Sequence, residues 1–284
     1  MSSPTTTSPA TTASMPPQFG DFTDFAQRWM LPTISVRLAQ ANRENTFTWC
    51  ARWWDHRPVA VRIAHLHNAF EAMRRSKAGS SLNTFFLSHL DPHVNLILDA
   101  ANGPLHRCTR THHQATPSLP FDRVPYGWFG TTPTVVAGEE KPAKKFDHYS
   151  DFVEGWLLPV TSVRIAANNR EGQYTWCRQW WRHQGVAIRF AGLHACFEAA
   201  VKAEDKMAMS ALFVRHIDPQ LRYILDAANG PLHRCTPDTH IDAPGLEGER
   251  VPANWFSAPG STIPVEYLGF GPDFRAFAAE GGSR

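Results

Sequence analysis

The sequence lacks any apolar run approaching the roughly 20 residues that a helix needs to cross a bilayer, so no membrane span is expected. Its start, MSSPTTTSPATTASMPP, has neither the basic stretch nor the apolar core of a secretory signal. Both absences predict a soluble, cytoplasmic protein with no membrane partner. Charge is sparse and balanced: 28 Lys and Arg against 26 Asp and Glu give +2, too little to point to nucleic acid or an anionic surface. Cysteine is sparse too, with five in 284 residues and no C-x-x-C pair, which excludes a disulfide-stapled miniprotein. The signatures G-x-S-x-G, G-x-x-x-x-G-K, G-x-G-x-x-G and H-E-x-x-H are missing. The common hydrolase, nucleotide-binding and zinc-protease chemistries therefore have no motif to rest on.

What is present is apolar material, 43% of residues with 12% aromatic, enough to offset chain entropy and build a core. It is organised as a repeat. Trp29-Met30-Leu31-Pro32 returns as Trp156-Leu157-Leu158-Pro159, and the offset of 127 aligns residues 19–130 with 146–257 without a gap. Asp99 to Cys108 and Asp226 to Cys235 both read DAANGPLHRC. A unit of this size is a whole domain rather than a solenoid repeat. The chain thus divides into a low-complexity extension (1–18), a first domain (19–130), a flexible linker (131–145), a second domain (146–257) and a tail (258–284). The first domain carries 12 basic and 8 acidic residues, +4, and the second 11 and 13, −2. Opposite signs suit two domains that pack together, and a polyanion would choose the first.

Within one repeat the hydrophobic spacing predicts helices. Phe22, Phe25 and Trp29 share a face, and Pro32 is expected to end that helix. Thr48 reads as the cap of a short helix carrying Trp49, Cys50, Trp53 and Trp54. Val59, Ile63, Leu66, Phe70 and Met73 form an amphipathic stripe, repeated by Val186, Phe190, Leu193 and Phe197. Leu82, Phe85, Phe86 and Leu90 make the next helix, and Asp91-Pro92 reads as the cap and first turn of another. The expectation is all-α: two tandem copies of one helical domain of about five helices each, with a short extended segment near Val124 to Phe129.

Four types of residue are candidates for function. Adjacent Trp53 and Trp54 cannot both face one core, so Trp54 and its counterpart Trp181 are candidate interface residues. Arg52, Arg62 and Arg107 in the first repeat, with Arg178, Arg189 and Arg234 in the second, are candidate binding residues for an anion or a partner. Cys50, His56, His89 and Cys108, repeated as Cys177, His183, His216 and Cys235, have the ligand types of a zinc site. Their spacing opposes it, because Cys50 and His56 on one continuous helix would diverge by roughly 120°. Buried thiols and hydrogen-bonded histidines, with no cofactor, are the competing reading. The His89-x-Asp91 pair suggests acid/base work, but a capping Asp needs no catalysis, and no catalytic residue is assigned.

The ordered set W-L-x-P, W-C-x-x-W-W-x-H, H-x-D-P and G-P followed by Cys resembles an uncharacterised actinobacterial family of domains of unknown function. The resemblance covers both repeats. It implies a domain encoded on plasmids, phages and integrative conjugative elements, usually present once per chain, with no activity or ligand to carry over. The family pattern reads H-x-D-P-H and has a proline closely following W-W-x-H. The first repeat keeps His93 and, after one intervening residue, Pro58, whereas the second has Gln220 and Gly185.

These observations favour a non-catalytic tandem module that binds or scaffolds another macromolecule, with a protein as its partner, as an accessory of a mobile element. A DNA-binding protein using the basic face of the first domain is one alternative, and a metal-dependent hydrolase or nuclease is another. If single-domain relatives form symmetric dimers, the two repeats would pack as a covalent pseudo-dimer through Trp54 and Trp181.

Overall fold

The computed structural model describes residues 15–39, 46–128, 144–166 and 173–243. The expectations for residues 1–14, for the linker 131–143 and for the tail lie outside them. Each repeat folds into three continuous helices and one short 3-10 turn. In the first domain α1 joins Phe22–Phe25, a π-helical turn Ala26–Met30 and Leu31–Thr33. The turn Trp53–Asp55 leads into α2, Arg57–Arg75, and α3 joins Ser81–Phe85, a π turn Phe86–Leu90 and Asp91–Leu98. The second domain repeats this as α4 (Tyr149–Phe152, Val153–Leu157, Leu158–Val160), the turn Trp180–Arg182, α5 (Gln184–Lys202) and α6 (Ala208–Leu212, Phe213–Ile217, Asp218–Leu225). The all-α expectation holds. Among the described residues there is no strand, only isolated bridges such as Phe47 with Asp99, so the segment from Val124 is not a strand.

The helices number three rather than about five because proline does not break them. Pro32, Pro92, Pro159 and Pro219 each follow a π turn, and the carbonyl four residues back, where a proline ring would clash, lies inside that turn. The widened turn lets the helix pass: the amide of Asp91 reaches back five residues to the carbonyl of Phe86. Asp91 is accordingly a helical residue with φ −60° and ψ −45°, not a cap. Thr48 is not a cap either. Its hydroxyl donates to the carbonyl of Cys108 at 2.8 Å, and Trp49 to Arg52 are not helical.

Each domain has its own core. Val59, Ile63, Leu66, Phe70 and Met73 are buried along α2, with Phe25, Met30 and Phe85 packed against them. Val186, Phe190, Leu193 and Phe197 do the same along α5.

The domains meet on non-equivalent faces. Helices α2 and α3 of the first lie against α6 and the end of α4 of the second. A strap following Gln114 then crosses the second domain: Leu119 is buried in its core and donates to Thr161 O, and the Trp176 indole donates to Pro120 O at 2.6 Å. Trp128 ends the strap edge-on to Trp181, with ring centroids 4.3 Å apart, and donates to the Trp181 carbonyl. Trp181 is thereby 9% exposed, while Trp54 is 55% exposed. The symmetric pairing of Trp54 with Trp181 does not occur, because the strap occupies the place it would need.

Candidate metal centre

The ten-residue identity is a scaffold. Asp99 Oδ1 accepts from the amides of Ala101 and Asn102, at 2.9 and 3.1 Å. Gly103 then passes so close that an added Cβ would stand 2.6 Å from the carbonyls of Asp99 and Leu96. Gly230 is confined in the same way by Asp226 and Tyr223. This turn delivers Cys108 and Cys235, both fully buried, to the ends of the two segments they face.

There each cysteine joins a quartet. Cys50, His56, Cys108 and His113 place one donor atom each within 4.8 Å of one another, and Cys177, His183, Cys235 and His240 repeat the arrangement. Cys50 Sγ lies 3.3 Å from His113 Nδ1, and Cys108 Sγ lies 3.4 Å from His56 Nε2. The second domain gives 3.4 Å for both equivalent pairs. A zinc ion with bonds of about 2.3 Å to sulfur and 2.0 Å to nitrogen would set a sulfur–nitrogen edge at about 3.5 Å, close to the two measured in each quartet.

The surroundings also suit a metal. His113 Nε2 faces Asp55 at 3.3 Å and His240 Nε2 faces Asp242 at 2.8 Å, which leaves each Nδ1 lone pair for the centre. The amides of Gln114 and Ile241 approach Cys108 and Cys235 Sγ at 3.4 Å, as donors to a thiolate would. Burial pushes the Cys50 thiol up to about 11 and Cys177 up to about 12. Burial, and then the neighbouring His240, lowers His183 to about 4, and burial with His113 lowers His56. Neutral imidazoles are what a cation requires, and a dication would supply the charge that lets the buried thiols ionise.

The fourth member of each quartet is thus His113 or His240, and His89 and His216 lie outside it. His89 is buried at the domain contact, with Nδ1 2.8 Å from Ser210 Oγ, and His216 is exposed near Cys196. The objection from helix geometry falls because Cys50 precedes the 3-10 turn and His56 ends it. The missed signal was plain in the repeat: His113 and His240 stand 127 apart, each five residues after a cysteine.

The candidate arginines do not converge. Arg52 pairs with Asp55 at 2.6 Å and lies over the Trp54 ring. Arg178 holds Asp122 of the strap, Arg234 donates to Asp242 O, and Arg107 is exposed. Arg189 donates to Gln220. Arg62 is 4% exposed and grips Asp218 of the second domain with two bonds, 3.0 and 2.5 Å.

No helix among the described residues is long and apolar enough to cross a membrane. No curated protein and no solved structure shows a significant match to the chain. One family profile does, a domain of unknown function (DUF4913), and it matches twice, over residues 19–125 and 146–252. The chain belongs to that family, with two tandem copies of its domain.

Proposed function

We propose that the chain is a non-catalytic binding and assembly module in which each domain is closed around one structural zinc ion. The observation that carries this reading is the quartet Cys50, His56, Cys108 and His113, repeated in the second domain. Four protein donors at tetrahedral spacing leave no position for substrate or water, and structural rather than catalytic zinc is bound that way. The metal would tie the segment after the DAANGPLHRC turn to the tryptophan-bearing turn before α2. Its contribution would be to folding and to the placement of the strap that follows Gln114. The hydrolase alternative needs His89 and Asp91 beside the metal, and they are not in the quartet. A role as accessory of a mobile element is the setting that the family resemblance implies, and a protein partner fits the buried aromatic contacts between the domains better than DNA does.

Elemental analysis of untagged protein purified without chelator tests the reading. The expected result is about two zinc ions per chain, lost in a Cys50→Ser, Cys177→Ser variant. Because that variant can fail to fold, cobalt substitution of the wild-type chain gives a second measure: tetrahedral thiolate sites yield intense visible absorption and a sulfur-to-metal charge-transfer band. Protein that is fully folded, metal-free and unable to take up zinc or cobalt would remove the proposal.

A further inference from the structure

The contact between the two domains is open, and both of its halves are present unused. Arg62 of the first domain is paired with Asp218 of the second and lies 4.5 Å from the centre of the Phe213 ring. In a two-fold arrangement the equivalent Arg189 would hold Asp91. Instead Arg189 bends onto its own domain, donating to Gln220 and covering Tyr223, and Asp91 is exposed without an ion pair among the described residues.

Burial follows the same division. On the second domain's docking face Trp176, Trp181, Ser210 and Phe213 are buried, whereas the matching Trp54 and Asn83 are exposed and Trp49 and Phe86 half-buried. On the first domain's docking face His89 and His93 are buried, whereas the matching His216 is exposed and Gln220 half-buried. Among the described residues the first domain therefore presents an uncovered copy of the surface that the second uses, and the second an uncovered copy of the surface that the first uses.

We infer that a second copy of this chain occupies these faces, head to tail, with Arg189 of one chain on Asp91 of the next. Deepening the assembly reading, this inference names the partner, but it rests on the contact between domains and not on the metal. The complementarity survives the sequence differences between the repeats. Arg189 has Asp91 and Phe86 to meet, as Arg62 has Asp218 and Phe213. His216 and Gln220 have the amide of Asn83 where His89 and His93 have the Ser210 hydroxyl. The sequence of the strap also recurs at the offset of 127, with Leu246, Val251, Pro252 and Trp255 matching Leu119, Val124, Pro125 and Trp128. A heterologous contact of this kind closes into a ring or extends as a filament, and it gives the domain a reason to be duplicated in one chain.

Analytical ultracentrifugation of the full chain with charge-reversed variants tests this. Wild-type protein is expected to associate in whole-chain steps as concentration rises to about 100 μM, the range of a modest interface. Asp91→Arg alone and Arg189→Asp alone are each expected to weaken association at least about tenfold, since each sets like charges together. An equimolar mixture of the two variants restores opposite charges at every junction and is expected to associate again, which a misfolded variant could not do. A wild-type chain that stays monomeric, or a mixture that behaves like its separate components, would overturn the inference. Zinc content unchanged throughout keeps its failure distinct from failure of the metal reading.

Discussion

Cys108 Sγ and His56 Nε2 lie 3.4 Å apart although 52 positions separate the residues, and Cys235 and His183 repeat both the separation and the distance. Such a pair closes a long loop through one point. If that point is a metal ion, its binding free energy is folding free energy, because the unfolded chain has no preformed site. A strong chelator is expected to lower the melting temperature by more than about 10 °C, followed by circular dichroism, and added zinc to restore it. A melting curve indifferent to chelator would mean that the cores alone hold the domains.

The carboxylates behind the quartets should tune the metal without binding it. Asp55 orients His113 and Asp242 orients His240, at 3.3 and 2.8 Å. Asp55→Asn should weaken zinc binding in the first domain by about 10- to 100-fold, and Asp242→Asn should do so in the second. Competition against a chromophoric chelator would resolve the two sites. Equal affinities in wild type and variants would show that these carboxylates only decorate the surface.

Gly103 and Gly230 hold their positions because no Cβ fits, with carbonyls at 2.6 Å. Gly103→Ala must push backbone apart at the turn that delivers Cys108. The expected loss is about 2–4 kcal/mol in urea denaturation, with reduced zinc affinity in the first domain only. Gly192→Ala on α5, where an added Cβ meets nothing within 4 Å, is the control that should be neutral or slightly stabilising.

The sequence made the helices on α2 and α5 legible, because Val59, Ile63, Leu66 and Phe70 recur at helical spacing and all four are buried. Proline misled the count. Its effect depends on the π turn before it, and no residue type in Ala26–Met30 or Phe86–Leu90 announces that turn. Residue type and repetition single out three members of each quartet, Cys50, His56 and Cys108 with Cys177, His183 and Cys235. His89 recurs as His113 does and is also buried, and only the chain path after Cys108 brings His113 rather than His89 into the quartet. The domain contact was not legible at all, since Arg62 and Arg189 share one register position and have different partners.

Breaking the Arg62–Asp218 pair should cost more than the pair contributes. Both side chains are nearly removed from water, at 5% and 11% exposure, so a lone survivor would be a buried, uncompensated charge. Arg62→Met alone and Asp218→Leu alone are each expected to destabilise the chain by about 3–5 kcal/mol. The double variant Arg62→Met, Asp218→Leu should recover most of that loss, because two apolar groups leave no charge stranded. Chemical denaturation of the four proteins as a cycle separates these terms, and a double variant as unstable as the single would contradict the argument.

Acid should loosen the same contact. His93 is fully buried, and burial, with Arg62, His65 and His89 adding like charge, holds its imidazole well below the usual 6.5. His65 is lowered to about 4 by burial and then by Arg62, and His89 is lowered by burial and Arg215, with Asp205 opposing. Unfolded imidazoles titrate near 6.5. Between about 6.5 and 4 the unfolded chain therefore takes up protons that the folded chain refuses, so stability is complete above this window and falls as the pH descends through it. Burial lowers His56 and His183 as well, so the wild-type profile alone does not isolate the contact. His93→Gln does, because it installs the residue that the second repeat carries at Gln220. Its stability-against-pH slope in this window should be shallower by up to about 1.4 kcal/mol per pH unit, the contribution of one proton. A variant whose slope equals that of wild type would rule out His93 as a source of the acid sensitivity.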